Sequence, residues 1–352
     1  MTILSFFRIN TQFENVGDAL INREMLRLAA QHSSLVVDVS RVPRDFIAAL
    51  DIPVDALKTR SVLQFYFILI RSFLNRETSY FFLCPGGVGG ELSIKRFFIS
   101  ILKLLMFFIF NKMGVRICHV GASFDNLGRR HVSYLKLRSN FMHRFYVRDS
   151  LSEVGLLEQG IRNDGVLPDF AFNVFTGSNV RCGVVPNRIC ISFRVDQYPD
   201  QIKVVENFID QIVKLISPST TILLFAQVDR DVLGMEAIAA YLKRIGHQDI
   251  DIHYSTKSIE ESRRILSTCS HVLSNRLHVL LLGAAACGNM IACIDATNQK
   301  IKGLFQTIGI GDFILDIENT VTKESFDKVF SFRFDGSGLR DDLRKGFASL
   351  YL

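Results

Sequence analysis

The sequence predicts an α/β protein made of two Rossmann-like domains that face a central cleft. Its length of 352 residues suits two domains of ordinary size. Apolar strand-like runs alternate with helical periodicity in two successive series of about five strands, which is typical of parallel sheets covered by helices. A hydrophobic content of 48% and a charged content of 22% are those of a globular protein, and they exclude a disordered, collagen-like or disulfide-stapled chain.

The first series of strands is read from apolar runs separated by helical patterns such as Asp18–His32. Its five predicted strands are Ile3–Ile9, Leu35–Val39, Tyr80–Cys84, Val115–Val120 and Arg144–Val147. The second series has the same form, with helices predicted over Gln201–Ile216 and Asp231–Ile245. Its strands are Ile189–Phe193, Thr221–Phe225, Asp251–His253, His271–Leu273 and Met290–Ile294.

The two series are separated by a stretch without periodicity, from about Asp169 to Asn187, which contains glycine, proline and serine. We therefore expect an N-terminal domain over residues 1–175, a linker over 176–188 and a C-terminal domain over 189–335. The last segment, 336–352, is predicted to be a helix that packs back on the first domain.

The charge limits the kinds of partner that the protein is expected to bind, and the cysteine content indicates its cellular compartment. Forty-one basic and 35 acidic residues give a net charge of +6, which is too mild and too dispersed for a nucleic-acid-binding module. This charge suits anionic small ligands or contact with an anionic membrane face. Seven cysteines without a C-x-x-C pair indicate reduced thiols, and the apolar run Met1–Phe7 is too short for a signal peptide, so we expect a cytoplasmic protein.

Two apolar stretches, Ser61–Leu74 and Phe97–Phe110, are interrupted by polar or basic residues and are shorter than the ~20 residues of a membrane span. Each is predicted to be a helix. The common interpretation of such a helix is burial in the core. The alternative is a peripheral face on a membrane, where four basic side chains meet lipid headgroups: Lys95, Arg96, Lys103 and Lys112.

In Rossmann-like sheets ligands bind at the loops that follow the strands, and three such loops lie in the first half of the chain. In the first loop, Asn15 or Asp18 is predicted to cap a helix, Gly17 allows a close backbone approach, and Asp18 is alternatively a partner for a sugar hydroxyl. In the second, Gly86 and Gly87 begin a glycine run whose N–H groups suit an anion or a saccharide. A purely structural glycine turn is the alternative there.

A third loop follows the strand Arg144–Val147 and places Arg148 at its carboxyl end, facing the cleft. Ser150 and Glu153 have the spacing of a capping box, which predicts that a helix begins there. Arg148 then either binds an anionic ligand or forms an ion pair with Asp149 or Asp169.

The most informative loop is Ser274-Asn275-Arg276-Leu277-His278, between a predicted strand and a small apolar helix. An arginine and a histidine two residues apart at a strand-to-helix turn favour an anion site with an adjacent proton donor. Lys300 and Lys302 follow the next strand and add one or two cations at the same edge, although one of them is expected to be simply solvated.

Taken together, these loops resemble the polysaccharide pyruvyltransferase family from about Asn15 to Gly311. The matching pieces are the Asn-x-Gly-Asp helix start, the glycine run, Val147–Ser150, Val166–Phe170, Ser274–His278 and a lysine-bearing segment that ends in Leu304–Gly309. Two pieces depart from the pattern: Val88 interrupts the glycine run, and Gly121–Asn126 lacks the usual Gly-Pro. Both lie in the first domain, where the acceptor is expected to bind.

The resemblance implies a GT-B-like fold and a pyruvyltransferase that needs no cofactor or metal. Its donor would be phosphoenolpyruvate, and a pyruvyl ketal would form on two hydroxyls of a surface polysaccharide or of its lipid-linked precursor. Arg148, Arg276 and either Lys300 or Lys302 supply cations for the carboxylate and phosphate of this donor. His278 is the candidate acid that protonates the vinyl CH₂, and Asp18 is a candidate to orient or deprotonate the acceptor hydroxyl.

Two other functions stay open on the sequence. A GT-B glycosyltransferase would use the same cations to hold the diphosphate of a nucleotide sugar. A non-catalytic scaffold of polysaccharide assembly would depend on the two apolar stretches rather than on Arg276 and His278.

Overall fold

A computed structural model describes residues 2–175, 187–195, 201–254 and 258–352. The contacts of the chain divide it into two units. Unit 1 consists of Met1–Phe13, Asp18–Asn173 and Leu339–Leu352, and unit 2 consists of Glu14–Gly17 and Val174–Gly338. Most of the predicted linker, residues 176–186, lies outside the described residues.

Unit 1 is built on a parallel sheet of seven strands. The strands are β1 (Ile3–Arg8), β2 (Ser34–Asp38), β3 (Leu57–Thr59), β4 (Thr78–Leu83), β5 (Gly86–Gly90), β6 (Arg116–Leu127) and β7 (Arg144–Val147). They lie in the order β3-β2-β1-β4-β6-β5, and β7 also pairs with β6. The long strand β6 pairs first with β4 and then with β5 on one side, because β5 continues where β4 ends.

Helices follow the strands of unit 1 and bury a core rich in phenylalanine. They are α1 (Val16–Ala30), α2 (Arg44–Leu50), α3 (Val62–Leu74), α4 (Ile94–Lys112), α5 (Arg129–Ser139) and α6 (Ser150–Glu158). Phe65 of α3 meets Phe6 of β1 edge to face at 5.6 Å between ring centroids, a favoured aromatic geometry. None of the helices that the structure describes is long and apolar enough to cross a membrane.

Unit 2 has a parallel sheet of six strands in the order β10-β9-β8-β11-β12-β13, which is the Rossmann order. The strands are β8 (Arg188–Ser192), β9 (Thr221–Phe225), β10 (Ile250–His253), β11 (His271–Ser274), β12 (Ile291–Ile294) and β13 (Ile314–Asp316). The helices are α7 (Gln201–Leu215), α8 (Val232–Arg244), α9 (Ile259–Leu266), α10 (Leu277–Cys287), α11 (Gln299–Thr307) and α12 (Lys323–Ser331).

The last helix, α13 (Ser337–Ala348), leads into a C-terminal segment that belongs to unit 1. There Phe347 is fully buried and stacks on Phe82 of β4 at 5.7 Å between centroids. The hydroxyl of Tyr351 lies 2.8 Å from the hydroxyl of Ser5 on β1. The end of the chain is therefore part of the core of unit 1.

The predicted fold class is confirmed: both sheets are parallel and covered by helices, and all ten predicted strands are present. One prediction is wrong, because the glycine run Gly86–Gly90 is not a loop but strand β5. Glycine has no intrinsic strand preference, so only the pairing with β6 defines this strand. The same pairing extends β6 to Leu127, well beyond the predicted end at Val120.

Candidate active site

The β11–α10 loop of unit 2 lies at the point where the strand order of the second sheet reverses, between β8 and β11. Asn275 joins the two strand ends, because its side-chain oxygen accepts from the Arg194 N–H at 2.6 Å and its amide donates to the Arg194 carbonyl at 3.0 Å. The Ser274 hydroxyl donates to the Ser192 carbonyl at 2.6 Å and accepts from the Arg276 N–H at 2.9 Å. These hydrogen bonds join the loop that carries Arg276 and His278 to the end of β8.

Arg276 is a buried cation held by a buried carboxylate. Its Nη2 donates to Oδ1 of Asp231, whose other oxygen accepts from the Val228 N–H at 3.3 Å. Burial lowers the pKa of the Arg276 guanidinium, and the charge of Asp231 opposes that effect. Nε of Arg276 has no hydrogen-bond partner among the described residues, so this guanidinium retains capacity to bind an anion.

Sequence reasoning missed Asp231 as the partner of Arg276. The two residues are far apart in the chain, and Asp231 belongs to a short 3₁₀ turn that follows β9. Its position after the carboxyl end of a strand is the only sequence signal that points to it. No pattern in the sequence indicates that Asp231 contacts the later loop of Arg276.

His278 is the second residue of α10, is half-buried and packs against Gly17. A Cβ on Gly17 would stand 2.6 Å from Cγ of His278 and closer still to Nδ1. Asn15 caps α1, since its side-chain oxygen accepts from the Gly17 N–H at 2.9 Å and from Nε2 of Gln227 at 3.1 Å. The Asn-x-Gly-Asp sequence therefore supplies both a cap and the space that the imidazole occupies.

Lys300 and Lys302 lie in the first turn of α11. Asn298 caps this helix by accepting from the Ile301 N–H at 3.3 Å, and its amide donates to the Asn275 carbonyl at 3.5 Å. The start of α11 is thereby joined to the loop of Arg276. Lys302 is exposed and Lys300 is half-buried.

Arg148 belongs to unit 1, is buried and forms an ion pair with Asp169 at 2.7 Å from Nη1 to Oδ2. This pair is one of the two alternatives that the sequence left open. The predicted capping box is wrong by one residue, because α6 is capped by Asp149, which accepts from the Ser152 N–H at 2.8 Å.

The remaining candidates of unit 1 are Asp18, Gly86 and Gly87. Oδ2 of Asp18 accepts from the Thr11 hydroxyl and, at 3.1 Å, from the Gln12 N–H. Gly86 has a φ of +124°, a conformation that other residues rarely adopt. In the described part of the chain β5 pairs only with β6, so the other edge of the glycine strand is open.

The polysaccharide pyruvyl transferase family matches residues 15–294. The chain belongs to this family. No curated protein sequence matches it.

Solved structures show that the pyruvyl transferase has the fold of GT-B glycosyltransferases and epimerases. A glycosyltransferase from Rickettsia africae has a TM-score of 0.59 at 11% identity, covering 99% of this chain and 93% of its own. A UDP-GlcNAc 2-epimerase from Methanocaldococcus jannaschii, solved with UDP-GlcNAc and UDP, has a TM-score of 0.56 at 13% identity and covers 100% of both chains. MnaA from S. aureus, solved with UDP, has a TM-score of 0.53 at 10% identity over 98% of this chain and 91% of its own.

The family match begins at Asn15 and ends at Ile294. It therefore includes Gly17, Arg148, Arg276 and the His278 turn, whereas Lys300 and Lys302 lie beyond it. Of the sequence-predicted site residues, Asn15, Gly17, Arg276 and His278 are all in unit 2, where His278 contacts Gly17. Arg148, Asp18, Gly86 and Gly87 are in unit 1.

Proposed function

We propose that this pyruvyl transferase moves a pyruvyl group from phosphoenolpyruvate to two hydroxyls of one sugar and releases phosphate. The sugar would belong to a surface polysaccharide or to its lipid-linked precursor. The observation that carries the proposal is the turn at the start of α10, which presents a buried guanidinium and an imidazole two residues apart. Family membership supports the reaction type.

The donor's first anionic group would bind at this turn. Arg276 is fixed by Asp231 and keeps Nε available, and the N–H groups of the first helical turn of α10 have no intrahelical acceptors. A guanidinium beside a helix N-terminus suits a phosphate or a carboxylate. We assign the second anionic group to Lys300 or Lys302, in the first turn of α11. In unit 1 we propose Arg148, Asp18, Gly86 and Gly87 as substrate-binding residues.

His278 would donate a proton to C3 of phosphoenolpyruvate, which converts the CH₂ into a methyl group and leaves a cationic C2. One sugar hydroxyl attacks C2, the bond from C2 to the phosphate oxygen breaks, and the second hydroxyl closes the ketal. The two hydroxyls lose two protons: one restores His278 and the other leaves with phosphate. Asn15 and Gly17 support this role because they shape the space of the imidazole.

The test is phosphate release from phosphoenolpyruvate in the presence of saccharide, with His278→Ala as the variant. Loss of a general acid lowers turnover about 10²–10⁴-fold, while the affinity for phosphoenolpyruvate, measured by calorimetry, stays near that of the parent protein. Near-normal turnover in His278→Ala would remove this histidine from the mechanism.

A nucleotide-sugar glycosyltransferase is the second candidate, because the fold is shared with the glycosyltransferase from Rickettsia africae, and an epimerase and MnaA with a similar fold were solved with UDP. A thermal-shift measurement with phosphoenolpyruvate against UDP or GDP separates the two enzymes. A non-catalytic scaffold would release no phosphate with any saccharide. For each function we infer a cytoplasmic location, which the free cysteines of the described residues support.

A further inference from the structure

Helices α3 and α4 of unit 1 expose an unusual number of large apolar side chains. Phe67 on α3 is 66% exposed and Leu102 on α4 is 69% exposed. Further exposed apolar residues on the same two helices are Leu63, Ile70, Phe73, Leu74, Ile94, Phe98, Ile99, Leu105, Phe108 and Ile109. The two helices contact each other through Tyr66 and Phe110, and exposed apolar side chains in this number indicate a binding surface for a protein or a membrane.

The charged residues of these two helices are all basic. No acidic residue occurs between Asp55 and Glu77, or between Glu91 and Asp125. The basic residues on or beside the two helices are Lys58, Arg60, Arg71, Arg76, Lys95, Arg96, Lys103 and Lys112. Two helices that expose apolar side chains and carry basic but no acidic residues complement a bilayer with anionic headgroups.

The same two helices form walls of a cavity of about 490 Å³. Tyr66 of α3 and Lys103 of α4 line it, at the carboxyl ends of β1 and β4, where the strand order of the first sheet reverses. Ligands of open α/β sheets bind at such points. The cavity and the apolar surface therefore share their helices.

The cavity has an excess of positive charge. Arg8 pairs with Asp38 at 3.2 Å and donates to the Tyr66 hydroxyl at 3.1 Å. Arg41 and Lys103 also line the cavity, and both are exposed with no ion pair among the described residues. Three cations and one carboxylate suit a phosphate, and the Phe13 ring on the same wall suits the apolar face of a sugar.

We propose that the acceptor is lipid-linked: the α3–α4 surface rests on an anionic bilayer, and the cavity holds the phosphate-bearing head of the lipid. Arg41 and Lys103 would contact the phosphate. The inference rests on the proposed function and narrows its acceptor, since a free polymer has neither a lipid nor the linking phosphate.

The membrane part is tested by sedimentation of the full chain with vesicles. We expect it to bind phosphatidylglycerol–phosphatidylcholine vesicles and to bind pure phosphatidylcholine at least about tenfold more weakly. The double variant Leu102→Asp/Leu105→Asp should lose about tenfold or more of the binding, while Leu157→Asp, on α6, should not. Equal binding to both vesicles, or an unchanged double variant, would overturn the proposal.

The cavity part is tested with a polyprenyl phosphate in phosphatidylcholine vesicles, and with inorganic phosphate as competitor. Arg41→Ala and Lys103→Gln should each weaken binding of the lipid about tenfold, whereas Lys345→Gln, on α13 and outside both the cavity and the α3–α4 surface, should not. Weak competition by inorganic phosphate is expected, because the free ion gains nothing from the bilayer. Full competition by inorganic phosphate would show that the lipid is not recognised.

The two proposals fail in different ways. Vesicle and polyprenyl phosphate binding require no phosphoenolpyruvate, so a chain that passes both tests but releases no phosphate refutes the proposed function alone. A chain that releases phosphate with a soluble polysaccharide but does not bind vesicles refutes the lipid-linked acceptor alone.

Discussion

At the scale of single residues, the site depends on two contacts between distant parts of the chain. Gly17 provides the space for the imidazole of His278, and Asp231 neutralises Arg276. Each contact fixes the position of one functional side chain, His278 in the first case and Arg276 in the second. A substitution at Gly17 therefore tests the site without changing the groups proposed to bind or protonate the donor, whereas a substitution at Arg276 tests donor binding directly.

Gly17→Ala is expected to reduce pyruvyl transfer about 100-fold, because its Cβ would displace the His278 side chain. Gly17 lies in the first turn of α1, where alanine by itself favours a helix by up to about 1 kcal/mol. The control is Gly155→Ala in α6, where an added Cβ meets nothing within 4 Å. The control should retain turnover in the phosphate-release assay; equal activity of both variants would contradict the packing of His278 on Gly17.

Arg276→Lys is expected to raise the KM for phosphoenolpyruvate about 10–100-fold. A lysine has no planar guanidinium, so it cannot pair with Asp231 and form a bidentate contact with the donor at the same time. Burial lowers the pKa of a lysine more readily than that of an arginine, so this KM should rise further with pH, as the cation is lost. The parent protein should show no such rise. Steady-state kinetics across pH measure the difference, and a KM equal to the parent's would remove Arg276 from donor binding.

At the scale of elements, short polar contacts tie helices to strand ends. Asp149 caps α6, and its second oxygen accepts from the Ser152 hydroxyl at 2.9 Å. That hydroxyl in turn accepts from the Phe124 N–H of β6 at 2.7 Å. The start of α6 and the glycine-paired half of β6 are therefore joined through one serine.

Asp149→Ala should lower the free energy of unfolding by about 1–2 kcal/mol, because it removes the cap of α6 and the acceptor for Ser152. Asp149→Asn keeps a capping oxygen and should stay within about 0.5 kcal/mol of the parent protein. Urea unfolding followed by circular dichroism measures both. A destabilised asparagine variant with a stable alanine variant would contradict the capping role.

At the scale of the whole molecule, each unit has its own sheet and its own apolar core. The core of unit 1 is rich in phenylalanine, while that of unit 2 consists mainly of isoleucine, leucine and valine. The C-terminal segment completes the first core through Phe347, although the chain reaches it only after the last strand of unit 2. Stability of unit 1 thus depends on the segment Leu339–Leu352.

Phe347→Ala is expected to cost about 3–5 kcal/mol of unfolding free energy, because it removes a fully buried ring that contacts Phe82 and Phe170. Val154→Ala, at a half-exposed helix position, should change it by no more than about 0.5 kcal/mol. Unfolding is followed by circular dichroism, since the chain has no tryptophan. Binding of phosphoenolpyruvate to the folded variant should be unchanged, and a large loss of affinity would argue against a donor site on unit 2.

The sequence by itself determined the fold class, ten of the strands and the residues of the Arg276 and His278 turn. These features are local. Apolar periodicity shows which face of an element is buried, and a strand-to-helix turn keeps the side chains of neighbouring residues close together. The family resemblance rested on the same local sequences, and the family match confirmed it.

Only the tertiary structure decided which residues meet. Strand β5 forms because β6 supplies its hydrogen bonds, Arg148 meets Asp169, Arg276 meets Asp231, and His278 fits where Gly17 has no side chain. Such pairs are separated by tens to hundreds of residues, and no repeat along the chain encodes their approach. They follow from the order of parallel strands, which brings the ends of distant segments to one edge of a sheet.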